Sequence, residues 1–288
     1  MKSSTSTNPI FQRLSWISGL LLLALVLSAC GSAPAPEVQA AGGEGPALIH
    51  IKVGASPVPH GDILRFVKEN LAAGAGLELE VIEFTDYVQP NLALADGQID
   101  ANFFQHLPYL EHFNQEHILE LVSAAAVHIE PLGIYSRRVT SLEEIPQGGV
   151  VGIPNDATNA GRALHLLAES GLITLKDGAG YAATPGDISA NPKNLKIVEL
   201  EAAQLTRALE DTDISVINGN YALQAGLTPS QDALALESVE DNPYANILAV
   251  RQGTETQAGL QALAGLLTSP EVRQFIQDTY QGSVIPVE

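Results

Sequence analysis

From Leu48 onward the apolar residues change their spacing again and again, and this limits the chain to few folds. Leu48 to Gly54 alternates apolar and polar residues, the period of a half-buried strand. His60 to Leu71 then carries Ile63, Leu64, Phe66, Val67 and Leu71, a helical stripe. Leu77 to Ile82 alternates again. The spacing predicts a helix over Tyr87 to Ala95, with Thr85 or Asp86 as its N-cap and Pro90 in its first turn. A strand over Ile99 to Phe104 and a helix over Pro108 to His117 follow. Leu119 to Val127 and Leu132 to Tyr135 read as extended. A second set comprises strands at Val150 to Pro154, Leu195 to Leu200 and Asp213 to Asn218. Its helices are at Ala157 to Ser170, Glu201 to Glu210 and Tyr221 to Ala225. A strand at Asn246 to Val250 and two helices finish the chain.

Such alternation predicts an α/β protein of two lobes, each a mostly parallel sheet flanked by helices. Lobe 1 is expected over residues 47–131, completed by 244–288, and lobe 2 over 132–243. Ligands of open α/β sheets bind beyond the carboxyl ends of the strands, so the strand-to-loop junctions facing the interlobe cleft are where a site is expected. With 45% apolar and 16% charged residues over 288 positions, the chain is too apolar for a disordered one and can bury a real core. Its 33 acidic against 14 basic residues give a formal charge of −19. That excludes a nucleic-acid binder and a protein held to anionic lipid by basic residues.

The N-terminus has a different character. Lys2 and Arg13 are the only charges before residue 37, and Trp16 to Leu27 is apolar. A basic flank, a short apolar core and small residues make residues 1–29 a secretory signal. Leu27-Ser28-Ala29-Cys30 resembles the bacterial lipobox and holds the only cysteine. That resemblance implies that Cys30 carries a thioether-linked lipid and becomes the new N-terminus. Residues 30–46, rich in Ala, Gly and Pro, read as a flexible tether. Two or more acyl chains anchor stably where one is marginal. The protein is therefore expected outside the cytoplasm, held to the bacterial cell membrane by lipid.

Motifs of catalysis are missing. There is no phosphate-binding G-x-x-x-x-G-K-[ST], no G-x-G-x-x-G after a strand, no G-x-S-x-G and no H-E-x-x-H. His106, His112 and His117 fall within twelve residues, but the last two are five apart, about 140° off one helical face. They read as solvated helix polars plus one cleft histidine, and neither a metal nor another cofactor is expected.

Six junction segments, taken together, resemble the NlpA family of methionine-binding lipoproteins, the substrate-binding components of ABC importers. They are Tyr87 to Asn91, Gly97 to Leu110, His128 to Ser136, Ile153 to Leu164, Val216 to Ala222 and Asn242 to Asn246. They run in family order through nearly the whole mature chain. The resemblance implies a two-lobed periplasmic-binding-protein fold that closes on its ligand, and no enzyme.

It also implies ligand roles for particular residues. Arg162, early in a helix, suits bidentate grip of an α-carboxylate, at roughly 1.5–3 kcal/mol for a charge-assisted bond. Asn218, at a strand end, and Asn246, near the return crossing, suit the ligand ammonium and carboxylate, against the alternative of turn and cap chemistry. Asn159 and Asn220 are weaker candidates. Tyr87, Phe104 and His106 are expected to enclose the thioether side chain, with Phe103 on the opposite face as core. The implied partners are methionine, L- and D-, together with an ABC permease and its ATPase; a monomer is expected. The alternatives are the same fold holding another amino acid, a methionine-containing dipeptide or a metal ion, and an exported enzyme using the cleft.

Overall fold

The computed structural model describes residues 47–287. The signal peptide, Cys30 and the tether lie outside the described residues.

The first part of the chain follows the alternation closely. Strand β1 (Ile49–Ala55) leads into α1 (Asp62–Asn70), whose stripe Ile63, Leu64 and Val67 is buried. Strand β2 (Leu77–Glu83) follows, then α2 (Gln89–Ala95), β3 (Ala101–His106), α3 (Leu107–His117) and β4 (Leu121–Ile129). The second part begins with β5 (Gly133–Tyr135), β6 (Val150–Pro154) and α4 (Ala157–Glu169). A small hairpin, β7 (Thr174–Leu175) and β8 (Ile188–Ala190), precedes β9 (Lys196–Leu200), α5 (Leu205–Ala208), β10 (Ile214–Ile217), α6 (Gly219–Gln224), α7 (Pro229–Asp232) and β11 (Ala235–Leu236). The chain then returns through β12 (Ala245–Arg251), α8 (Ala258–Leu267), α9 (Pro270–Tyr280) and β13 (Ile285–Pro286).

Two sheets result. The first has six strands in the order β13-β4-β12-β3-β1-β2, and the second has five in the order β11-β5-β10-β6-β9. Their cores are separate. Val53, Phe103, Leu248, Leu263 and Ile276 belong to one, and Ile134, Val151, Leu164, Leu167 and Val216 to the other. The chain passes from the first sheet to the second at residues 130–132 and returns at 237–244.

Most strands of each sheet run the same way, as expected, but the pairings are mixed. Strands β3-β1-β2 and β10-β6-β9 pair in parallel, but β12 is antiparallel to both β3 and β4, and β5 is antiparallel to β10. The cause is the return: β12 arrives from the second sheet and inserts between β3 and β4, running against them. The first sheet thus has two parallel and three antiparallel pairings, and the second two of each.

Two boundaries that matter for function also shift. The second helix begins at Gln89, because Asp86 Oδ1 accepts from the Val88 and Gln89 N–H groups and closes a turn first. Tyr87 thus stands in that turn and not in the helix. Strand β3 runs on to His106, two residues past the expected end.

Candidate functional site

Asn246 of β12 pairs in register with His106 of β3 and with His128 of β4. The carboxyl ends of β3 and β4 and the amino end of β12 therefore meet. Facing them are α4, which follows β6, and Asn218, which follows β10. Between lies a small, tightly closed pocket. All six residues expected to bind ligand line it: Tyr87, Phe104, His106, Arg162, Asn218 and Asn246. Gln105, Tyr109, Glu130, Asn159, Gly219 and Asn220 complete the wall.

One end of the wall is aromatic. The Tyr87 ring lies 5.8 Å from Phe104 and 5.8 Å from Tyr109, and Phe104 lies 6.1 Å from Tyr109. Phe104 packs with Tyr109 and Phe113 in a small cluster apart from the main core, whereas Phe103, on the other face of β3, sits within that core. The alternation along the strand separates the two phenylalanines.

The polar end is oriented by a chain of hydrogen bonds. Asp156 caps α4, its Oδ1 accepting from the Asn159 N–H. Both Asp156 carboxylate oxygens accept from Asn159 Nδ2 at 3.0 Å, which turns Asn159 Oδ1 inward. That oxygen accepts from Asn218 Nδ2 at 2.9 Å and from His106 Nε2 at 3.2 Å. His106 caps α3, its Nδ1 accepting from the Tyr109 N–H at 3.1 Å, so the proton sits on Nε2. Burial, with Arg162 nearby, lowers the His106 imidazole to a pKa of about 3, so the ring is neutral. Asn218 stands at the N-cap of α6, yet its side chain makes no cap bond. Its Oδ1 is buried without a partner. The cap alternative for Asn218 does not hold.

Arg162 is 3% exposed and reaches both interlobe crossings. Nη2 donates to the Glu130 carbonyl at 2.8 Å, and Nε donates to Glu237 Oε1 at 2.7 Å. Nη2 also donates to Glu237 Oε2, and the guanidinium carbon lies 4.3 Å from the Tyr244 ring centre. The adjacent Gly161 lets α4 approach the 180–183 loop; a Cβ there would fall 2.0 Å from the Tyr181 carbonyl oxygen.

Tyr87 closes the cavity from the first sheet's side, its hydroxyl donating to Asn220 Oδ1. Tyr221 returns the contact, its hydroxyl donating to the Thr85 carbonyl at 3.2 Å. Asn159 and Asn220, the weaker candidates, are thus structural members of the wall.

Several members are not apparent from local pattern. Glu130 lies inside one of the segments carrying the resemblance, but only the fold shows that its carboxylate meets His60 and His128. His60 Nε2 lies 3.2 Å from Glu130 Oε1 and 2.9 Å from Asn246 Oδ1, and His128 Nε2 lies 2.8 Å from Glu130 Oε1. These are hydrogen-bond distances. Metal-bound histidines use their second nitrogen on an outer partner, whereas both Nδ1 atoms here are buried and unpartnered. His112 and His117 take no part: one pairs with Glu116 and the other stacks on Phe113 at 4.0 Å.

Comparison with known proteins agrees with this architecture. Residues 51–288 match the family model described as NlpA lipoprotein. A methionine-binding lipoprotein, MetQ, of Bacillus subtilis is 42% identical over 272 residues, covering 93% of this chain and 96% of its own. A solved nutrient-binding protein from Burkholderia cenocepacia, bound to methionine, superposes with a TM-score of 0.80 at 46% identity, covering 83% of this chain and 100% of that one. An ABC transporter periplasmic substrate-binding protein from Coxiella burnetii gives a TM-score of 0.79 at 42% identity, covering 82% of this chain and 100% of that one. The fold is thus the two-lobed periplasmic-binding-protein fold, and the chain belongs to the NlpA lipoprotein family.

Proposed function

We propose that the protein is a lipid-anchored solute-binding protein that captures methionine and hands it to an ABC importer. The observation that carries this reading is the pairing, in one cavity, of a buried cation with a buried unpaired acceptor. Arg162 spends Nε and Nη2 on Glu237 and the Glu130 carbonyl, which leaves Nη1 for an α-carboxylate. Asn218 Oδ1 lacks a donor; an unsatisfied buried acceptor costs about 1–3 kcal/mol, which a ligand N–H relieves. Asn246, whose Oδ1 faces His60, turns its amide nitrogen to the ligand. Phe104, Tyr87, Tyr109 and the neutral His106 enclose the thioether, whose burial contributes roughly 1.5–3 kcal/mol.

The lobes are residues 47–131 with 244–288, and 132–243, and ligand binding closes them about the two crossings. Cys30 carries the anchor on the extracytoplasmic face; among the described residues no helix is long and apolar enough to cross a membrane. A permease and its ATPase receive the ligand from a monomeric protein. Nothing in this role requires turnover, and the neutral, hydrogen-bonded His106 serves as wall and not as acid or base.

A thermal-shift series with L-methionine, D-methionine, other amino acids and methionine dipeptides tests the reading. Methionine at 100 times its dissociation constant adds about 2.7 kcal/mol of stability. Mass spectrometry of ligand released on denaturation detects methionine carried through purification. No released methionine together with no shift overturns the assignment.

A further inference from the structure

The buried carboxylate of Glu130 has no place in a side-chain pocket for a neutral thioether. It is 5% exposed, lines the cavity, and sits on the first crossing between the sheets. No lysine or arginine pairs with it among the described residues; its contacts are the imidazoles of His60 and His128. Arg162 lies close, but its bond in this direction goes to the Glu130 backbone carbonyl. Burial pushes the Glu130 carboxyl up, while His60, Arg162 and the Asn220 backbone N–H oppose that shift.

The protonation pattern follows from the unpartnered nitrogens. Burial lowers both imidazoles, His60 to about 4 and His128 to about 3, so each carries one proton. If Glu130 were protonated and donated to either Nε2, that ring would hold its proton on a buried Nδ1 with nowhere to give it. A buried N–H without an acceptor is rarer than a buried lone pair without a donor. With both protons on Nε2, each ring donates to Glu130 Oε1, His60 sharing its proton with Asn246 Oδ1, and only lone pairs are left unpaired. Oε1 is then occupied by two donors, and Arg162 and the Asn220 backbone N–H favour a charge over a proton on Oε2. Oε2 is on the side of Gly219, where a Cβ would fall 3.0 Å from it.

Resting on the methionine reading above, we infer that His60 and His128 are positioning residues: they donate both Nε2–H groups to Glu130 Oε1 and so fix an ionised carboxylate that selects ligands bearing a free α-ammonium. The neighbouring Asn218 Oδ1 supplies a second acceptor for the same group. Among these partners the imidazoles are neutral and Arg162 bonds the backbone carbonyl, so a ligand ammonium supplies the direct cationic contact to the carboxylate, and the cavity disfavours acids of the same shape that lack the amine and N-acylated methionine.

Titration calorimetry on ligand-stripped protein compares L-methionine with 4-(methylsulfanyl)butanoate, which keeps the carboxylate and thioether but lacks the amine. Wild type is expected to prefer methionine by on the order of 10- to 100-fold or more. Glu130→Gln is expected to bring that ratio towards one by weakening methionine alone. His128→Leu lowers the ratio in the same sense, and His128→Gln, which keeps a side-chain N–H donor, restores it. An unchanged ratio in Glu130→Gln overturns the inference while leaving the methionine reading intact. Wild type that binds no methionine overturns that reading and the ammonium role with it. Nitrogen-15 shifts of the imidazoles, measured without ligand, need no variant to fold. Protonated Nε2 on both rings is expected, and a protonated Nδ1 on either overturns the proposed arrangement.

Discussion

Arg162 Nε donates to Glu237 Oε1 at 2.7 Å across 75 residues of sequence, joining the helix after β6 to the return crossing. The same guanidinium holds the Glu130 carbonyl on the other crossing. A residue that faces the proposed ligand is therefore also the tie between the two passages of the chain.

Loss of Arg162 should consequently affect stability as well as binding. In Arg162→Ala the Glu237 carboxylate, 11% exposed, loses its partner. Breaking a buried pair costs about 3–5 kcal/mol. Urea unfolding of Arg162→Ala should show a loss of that order, and the double variant Arg162→Ala, Glu237→Gln should recover part of it without recovering methionine affinity. Equal stability in all three would mean the tie is unimportant.

Asn218 offers the opposite balance. Its Oδ1 has no protein donor, so Asn218→Ala forfeits only the bond from Nδ2 to Asn159. Stability should fall by about 1 kcal/mol, while methionine affinity drops on the order of tenfold or more. Calorimetry beside thermal unfolding separates the two effects.

Acid should weaken the fold well above the carboxylate range. His60, His106 and His128 are held near 4, 3 and 3, against an ordinary value of 6.5. The unfolded chain therefore binds more protons than the folded one between about pH 4 and 6.5, and stability drops as pH falls through that window. Each such proton contributes roughly 1.4 kcal/mol per pH unit. Glu130, held above its ordinary value, acts in the opposite sense. Unfolding free energies from pH 7 to 5 should show the slope, and His106→Asn, which can still cap α3, should reduce it by about one proton.

Gly161→Ala should destabilise by roughly 1–3 kcal/mol or more. The added Cβ would meet the Tyr181 carbonyl at 2.0 Å, and that obstacle is backbone and not the end of a flexible side chain. A melting temperature equal to wild type would show that the 180–183 loop yields freely.

For the anchor, Cys30→Ser should release the protein from the membrane fraction, since serine offers no thiol for the lipid. Retention of uncleaved protein in that fraction would remove Cys30 as the attachment point.

Local periodicity revealed most of the fold, whereas the wall residues Tyr87, Phe104, His106, Arg162, Asn218 and Asn246 came from the family resemblance. Alternation and helical stripes depend on neighbours in sequence, so the strands and helices were legible, and β3 placed Phe103 and Phe104 on opposite faces. The direction of β12 was not, because whether a returning strand joins an edge or inserts between two others is decided by tertiary packing. The same limit hid the partners of the expected members. Asn246 lies 186 residues from His60, and Arg162 lies 75 from Glu237. Tyr109 was accessible in principle: it stands three residues after His106, where the N–H that a capping residue accepts must fall.

The place of β12 in the first sheet has a consequence for how the molecule is made. The order β13-β4-β12-β3-β1-β2 puts nearly the last strand of the chain near its middle. Until residue 251 has been synthesised, β3 and β4 lack the strand that pairs with both. Pairings of such long sequence separation form late and slowly. The half-made protein presents two open strand edges in that interval, and unpaired edges invite wrong partners. Asn246 enters the cavity only with that closing strand, so a chain competent to hold a ligand exists only once its first sheet is sealed.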